Sequence, residues 1–217
     1  MKKLLVILML CLLPAPGVRA GGSVERVLFI GDSMTGWLAE RFEAYGERNG
    51  FSASTVVWDG STLTKWVNSN KIPQFIDTYK PDVVFICLGM NDMLATDPER
   101  RMAAPLAKLK SQLGPTPFVW IGPPTWPGRS NGAGFNEWME KNIRGNGHYF
   151  RSQEEKLARQ SAKNPHPTRA ACARWMDAVV KWLPTTSLPF PRDMSTPPPS
   201  EMKKGKNYIY RRMKQPL

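Results

Sequence analysis

Val27-Leu28-Phe29-Ile30-Gly31-Asp32-Ser33-Met34 decides how the rest of the chain is read. Four apolar residues stop at Gly31-Asp32-Ser33, and a helical pattern opens near Gly36. That is a buried strand, a tight turn and a helix start, with a serine in the turn. In parallel α/β sheets ligands bind beyond the carboxyl ends of the strands. A helix amino end adds unpaired backbone N–H groups, which suit a developing oxyanion. Ser33 is therefore either a nucleophile or a helix cap.

The same grammar repeats downstream. Phe51 to Trp58 reads as a second strand ending at Asp59-Gly60-Ser61, and Val83 to Leu88 as a third ending at Gly89-Met90-Asn91-Asp92. Phe118 to Ile121 is a fourth, and His148 to Ser152 a short fifth. Helices are expected over Gly36–Arg48, Thr64–Asn68, Pro73–Tyr79, from Asp97-Pro98-Glu99 to Leu113, and over Phe135–Ile143. One or two helical turns are expected within Gln153–Ser161, and a last helix from a Thr168 cap through Trp182. The third strand is apolar throughout, so both of its faces should be covered. Strands alternating with helices call for α/β architecture, with a five-stranded parallel sheet between two helical layers.

Composition sets the outer limits. Lys2-Lys3, the apolar run Leu4 to Leu13, and Val18-Arg19-Ala20 read as a secretory signal peptide over residues 1–20, with an uncleaved anchor as the alternative. The expectation is an exported protein, periplasmic or secreted. Residues 21–183 then form one domain, long enough to bury a core without staples. Outside residues 1–20 only Cys87 and Cys172 remain, read as two buried thiols rather than one bond. No Cys/His cluster has zinc spacing, so no metal is expected.

The net charge is +12, and seven Lys/Arg against two Asp/Glu lie from Pro184 onward. That region, 184–217, includes Pro197-Pro198-Pro199 and has little apolar periodicity. It reads as a basic, largely disordered tail in which only Tyr208-Ile209-Tyr210 can dock. Its charge favours peripheral contact with an anionic cell surface before nucleic acid, or mere solvation.

Carboxyl ends of parallel strands share one edge, so Ser33, Gly60, Asn91 and the Pro165-His166-Pro167 loop converge. Together they are parts for acyl transfer. Serine needs a base to remove its proton, and imidazole is the natural one. The Ser33 and Gly60 backbone N–H groups and the Asn91 amide are placed to receive the oxyanion, each worth about 2.7–4 kcal/mol of barrier. Trp58, Trp126 and Trp138 either stack on sugar rings or simply pack.

These blocks, Gly31-Asp32-Ser33, Gly60, Gly89-Met90-Asn91-Asp92 and His166-Pro167-Thr168, resemble in order those of the SGNH, or GDSL-type, hydrolase superfamily. The resemblance runs from Val27 to about Leu183. It implies a flavodoxin-like three-layer α/β/α sandwich and esterase, lipase or acetyl-esterase activity without metal or cofactor; export, the open site typical of the family and the basic charge suggest O-acylated polysaccharides or lysophospholipids as substrates. It assigns Ser33 as nucleophile, His166 as base, and Gly60 and Asn91 as oxyanion donors. One position departs: the family usually carries an aspartate three residues before the histidine, where this chain has Lys163, followed by Asn164. Three readings follow. The enzyme is a Ser33–His166 dyad with a backbone carbonyl orienting the ring, or Glu154 or Glu155 substitutes for the acid, or turnover has been lost and the protein binds an anionic polymer. An acyltransferase on the same fold would share Ser33 and His166.

Overall fold

The computed structural model describes residues 23–93, 96–125 and 132–217. The proposed signal peptide lies outside them, as does Trp126. No helix among the described residues is long and apolar enough to cross a membrane.

The strands are β1 (Arg26–Gly31), β2 (Ser52–Trp58), β3 (Val83–Cys87), β4 (Phe118–Ile121), β5 (Gly147–Phe150) and β6 (Tyr208–Arg211). They form one sheet in the order β5-β4-β3-β1-β2-β6, and every pairing is parallel. Side chains alternate across a strand, and β1 divides accordingly. Val27 and Phe29 join one core with Leu38 and Phe42 of α1 (Thr35–Asn49) and Trp175 and Val179 of α6 (Arg169–Trp182). Leu28 and Ile30 join the opposite core. There they meet Trp66 of α2 (Leu63–Ser69), Ile72 of α3 (Lys71–Tyr79), Leu106 and Leu109 of α4 (Pro98–Leu113), and Met139 of α5 (Ala133–Asn142). The result is the three-layer sandwich that the sequence called for.

Two expectations are corrected. The sheet has six strands, not five, and the sixth comes from the tail. The tail is also ordered rather than disordered, and polar bonds to its backbone hold it. Arg41 is 1 % exposed. Its guanidinium pairs with Asp177 of α6 at 2.8 Å and donates to the carbonyls of Pro197, Pro198 and Glu201 at 2.9, 2.6 and 3.0 Å. Lys203 N–H donates to the Glu40 carbonyl at 2.8 Å. Thr55 N–H of β2 donates to the Asn207 carbonyl at 2.7 Å, which brings Tyr208 into register beside Thr55. The helical turns expected within Gln153–Ser161 shrink to one 3₁₀ turn, Ser152–Glu154.

Cys87 and Cys172 are free and buried. Trp58 and Trp138 pack with the core on the α2–α5 side, Trp58 edge-on to Trp66.

Candidate active site

Register sets the site. Gly31 pairs with Val57 on one side and Cys87 on the other, so the turns after β1, β2 and β3 leave the sheet at one level. Gly31 has no room for a side chain: a Cβ would lie 2.1 Å from the Cys87 carbonyl oxygen. Asp32 is fully buried and accepts from Met34 N–H at 2.9 Å, which folds the turn so that Ser33 precedes α1.

His166 reaches Ser33 from the loop before α6. Its Nε2 lies 2.8 Å from Ser33 Oγ. Its Nδ1 lies 2.8 Å from Asn164 Oδ1, and the same oxygen accepts from His166 backbone N–H at 3.0 Å. A backbone N–H can only donate, so the amide must turn its oxygen toward the ring. Nδ1 therefore carries the proton, and Nε2 offers its lone pair to the Ser33 hydroxyl. Asn164 Nδ2 in turn donates to Gln160 Oε1 at 2.9 Å. Gln160 N–H donates to the His166 carbonyl at 3.0 Å, and Arg159 bridges Pro167 antiparallel. A closed loop thus holds the histidine.

Asn164 occupies the role for which a backbone carbonyl and Glu154 or Glu155 had been considered. Glu154 instead pairs with Arg151 at 3.5 Å. Lys163 is exposed. The sequence did carry the signal, since Asn164 sits two residues before His166. His148, the other histidine, sits on β5 against Ser187 Oγ at 3.3 Å.

Asn91 Nδ2 donates to the Ser61 carbonyl at 2.9 Å and approaches Asp32 Oδ2 at 3.4 Å. It thereby ties the turn after β3 to those after β1 and β2. Asp92 accepts from Leu63 N–H at 3.1 Å and fixes the loop that carries Gly60. Gly60 has φ +61°, a conformation that favours glycine. Among the described residues the Ser33 and Gly60 N–H groups donate to no protein acceptor, as an oxyanion site requires.

Burial pushes the Asp32 carboxyl up to about 7, against the Met34 N–H bond that lowers it and with the Asp92 charge adding to the rise. Burial likewise raises Asp92 to about 6. No cluster of three or more His, Cys, Asp or Glu side chains able to hold a metal occurs among the described residues.

A cavity of about 610 Å³ opens beside Ser33 and His166. Trp37, Glu40, Asp59 and Gln160 line it together with Lys204, Tyr208 and Tyr210 of the tail. Gly60 and Asn91 lie outside this lining and border the serine through Asp32 and Ser61.

The sequence matches no family model and no curated protein. Solved structures do match. A family 3 carbohydrate esterase of Clostridium thermocellum superposes with a TM-score of 0.58 at 15 % identity, over 74 % of this chain and 96 % of that one. The psychrotrophic esterase EstA of Pseudoalteromonas sp. gives 0.55 at 20 %, over 74 % and 99 %. A two-domain esterase active on acetylated mannans gives 0.54 at 12 %, over 80 % of this chain and 52 % of that one. The chain shares the three-layer fold of these esterases.

Proposed function

We propose that the protein is a serine esterase that hydrolyses carboxylic esters through an acyl-enzyme on Ser33. The carrying observation is the Ser33–His166 contact at 2.8 Å, with the ring's other nitrogen fixed by Asn164. His166 Nε2 takes the hydroxyl proton as Ser33 Oγ attacks the ester carbonyl. The Ser33 and Gly60 N–H groups receive the oxyanion, and the Asn91 amide, which donates to the Ser61 carbonyl and approaches Asp32, joins them on releasing Asp32. His166 then returns the proton to the leaving alcohol and next activates water against the acyl-enzyme. No metal or cofactor enters these steps.

The loss-of-function reading rested on Lys163. The Asn164 bond supports catalysis instead, because it supplies the tautomer that the base needs. O-acyl groups on polysaccharide are the favoured substrates. The aromatic and polar lining of the cavity supports this, as do the carbohydrate esterases among the structural neighbours. Export is proposed from the Lys2-Lys3 and Leu4–Leu13 pattern, and contact with an anionic surface from the basic tail.

The test is release of p-nitrophenol from p-nitrophenyl acetate. Turnover by the wild type should fall by roughly 10²–10⁴ in His166→Ala and vanish in Ser33→Ala. Equal turnover in all three proteins would end the proposal.

A further inference from the structure

The tail brings a second set of side chains to the serine. Tyr208 and Tyr210 lie on β6, and Lys204 precedes it. All three line the Ser33 cavity opposite Trp37 and Glu40 of α1. The fit is close at two points. A Cβ on Gly36 would lie 3.3 Å from the Tyr208 hydroxyl, and one on Gly60 would lie 2.8 Å from Met213 Cγ. β6 and the turn after it therefore wall the site from the first turn of α1 to the Gly60 loop.

The lining has a definite chemical character. Lys204 Nζ stands 5.1 Å from the centroid of the Tyr208 ring and occupies a face of it. Tyr210 is different: its hydroxyl donates to Asp59, which anchors the ring, yet the residue is 48 % exposed. Such a ring, fixed at its tip and open on its face, is preorganised for stacking. Trp37 adds a half-buried aromatic surface. Between them stand Glu40, Asp59, Gln160 and Lys204, all able to bond hydroxyl groups. Apolar side chains, Met34, Pro167 and Cys172, line the cavity as well, leaving room for a short acyl group beside the polar ones. An anionic polymer would meet two carboxylates against one lysine.

We propose that the carboxy-terminal strand builds a subsite for a neutral saccharide, with Tyr210 and Trp37 as ring platforms beside the polar side chains. This rests on the esterase reading of Ser33 and His166, since the saccharide would be the alcohol side of the ester. Tyr210 is then a specificity-determining residue contributed by the part of the chain that composition marks as tail.

Two measurements separate this from the esterase reading. In a Ser33→Ala protein, titration with unmodified mannopentaose, followed by tryptophan fluorescence and NMR, should show saturable binding. Tyr210→Ala and Trp37→Ala should each weaken it about tenfold, or about 1.4 kcal/mol, and Tyr210→Phe, which keeps the ring but loses the Asp59 anchor, should weaken it less. In the Ser33-containing enzyme, the ratio of kcat/KM on O-acetylated mannopentaose to that on p-nitrophenyl acetate should fall about tenfold in Tyr210→Ala, through KM. Absence of saturable binding would overturn the proposal. So would an equal loss on both esters, which would make β6 merely structural, or a loss in Tyr210→Phe as large as in Tyr210→Ala. A wild type inert on both esters that still binds the saccharide would refute the esterase reading while leaving the subsite standing.

Discussion

His166 is held on both ring nitrogens, and the partner on the far side is neutral. Asn164 can set the tautomer, but it cannot stabilise an imidazolium by charge as a carboxylate does. Removing the bond with Asn164→Leu should lower kcat roughly a hundredfold with little change in KM. Asn164→Asp should raise kcat about tenfold, once the Gln160 amide turns its nitrogen toward the new carboxylate. Steady-state kinetics on p-nitrophenyl acetate read both. Asp32 makes a second residue-scale prediction. Its carboxyl titrates near 7 in the fold against about 3.9 in the unfolded chain. Between those values the native state binds the extra proton, so this group's contribution to stability falls as pH rises from about 4 to about 7. Asp92, raised to about 6, acts in the same direction over a narrower window. Thermal unfolding of Asp32→Asn should show a flatter pH dependence than wild type over that range; an unchanged slope would contradict the burial argument. At this scale Ser33 and His166 were legible because strand ends converge. Asn164 was not, because a neutral amide carries no charge pattern and its role exists only once the loop closes.

Among the elements, the tail depends on α1. Arg41 gathers Asp177 and three tail carbonyls around one buried guanidinium. Arg41→Met should cost about 3 kcal/mol in urea unfolding, less than a fully buried pair would, because Asp177 is 33 % exposed and can be rehydrated. The same variant should open the chain near Pro197 to limited proteolysis and weaken saccharide binding by loosening β6. An unaltered proteolysis pattern would mean that the strand pairing alone secures the tail. Gly31→Ala should also destabilise, by about 3 kcal/mol, because its Cβ would meet a main-chain oxygen that cannot yield. The first five strands and α6 were readable from apolar runs and caps. β6 was not, since Tyr208 to Arg211 is a short edge strand with exposed residues at one end, and proline-rich sequence held by backbone bonds leaves no periodicity to detect. Only the docking potential of Tyr208-Ile209-Tyr210 showed through.

At the scale of the molecule, one sheet edge gathers Ser33, His166, Gly60, Asn91 and a cavity walled by residues distant in sequence. The basic excess of the chain does not extend into that cavity, where Glu40 and Asp59 face Lys204. Everything argued for the site depends on an activated Ser33. Reaction of the folded wild type with a fluorophosphonate probe, mapped by mass spectrometry, reads that activation without knowledge of the substrate. The expected result is an adduct on the Ser33 peptide, absent in Ser33→Ala and strongly slowed in His166→Ala. A folded protein that forms no adduct, or one that labels as fast without His166, would show that the 2.8 Å contact does not activate the serine.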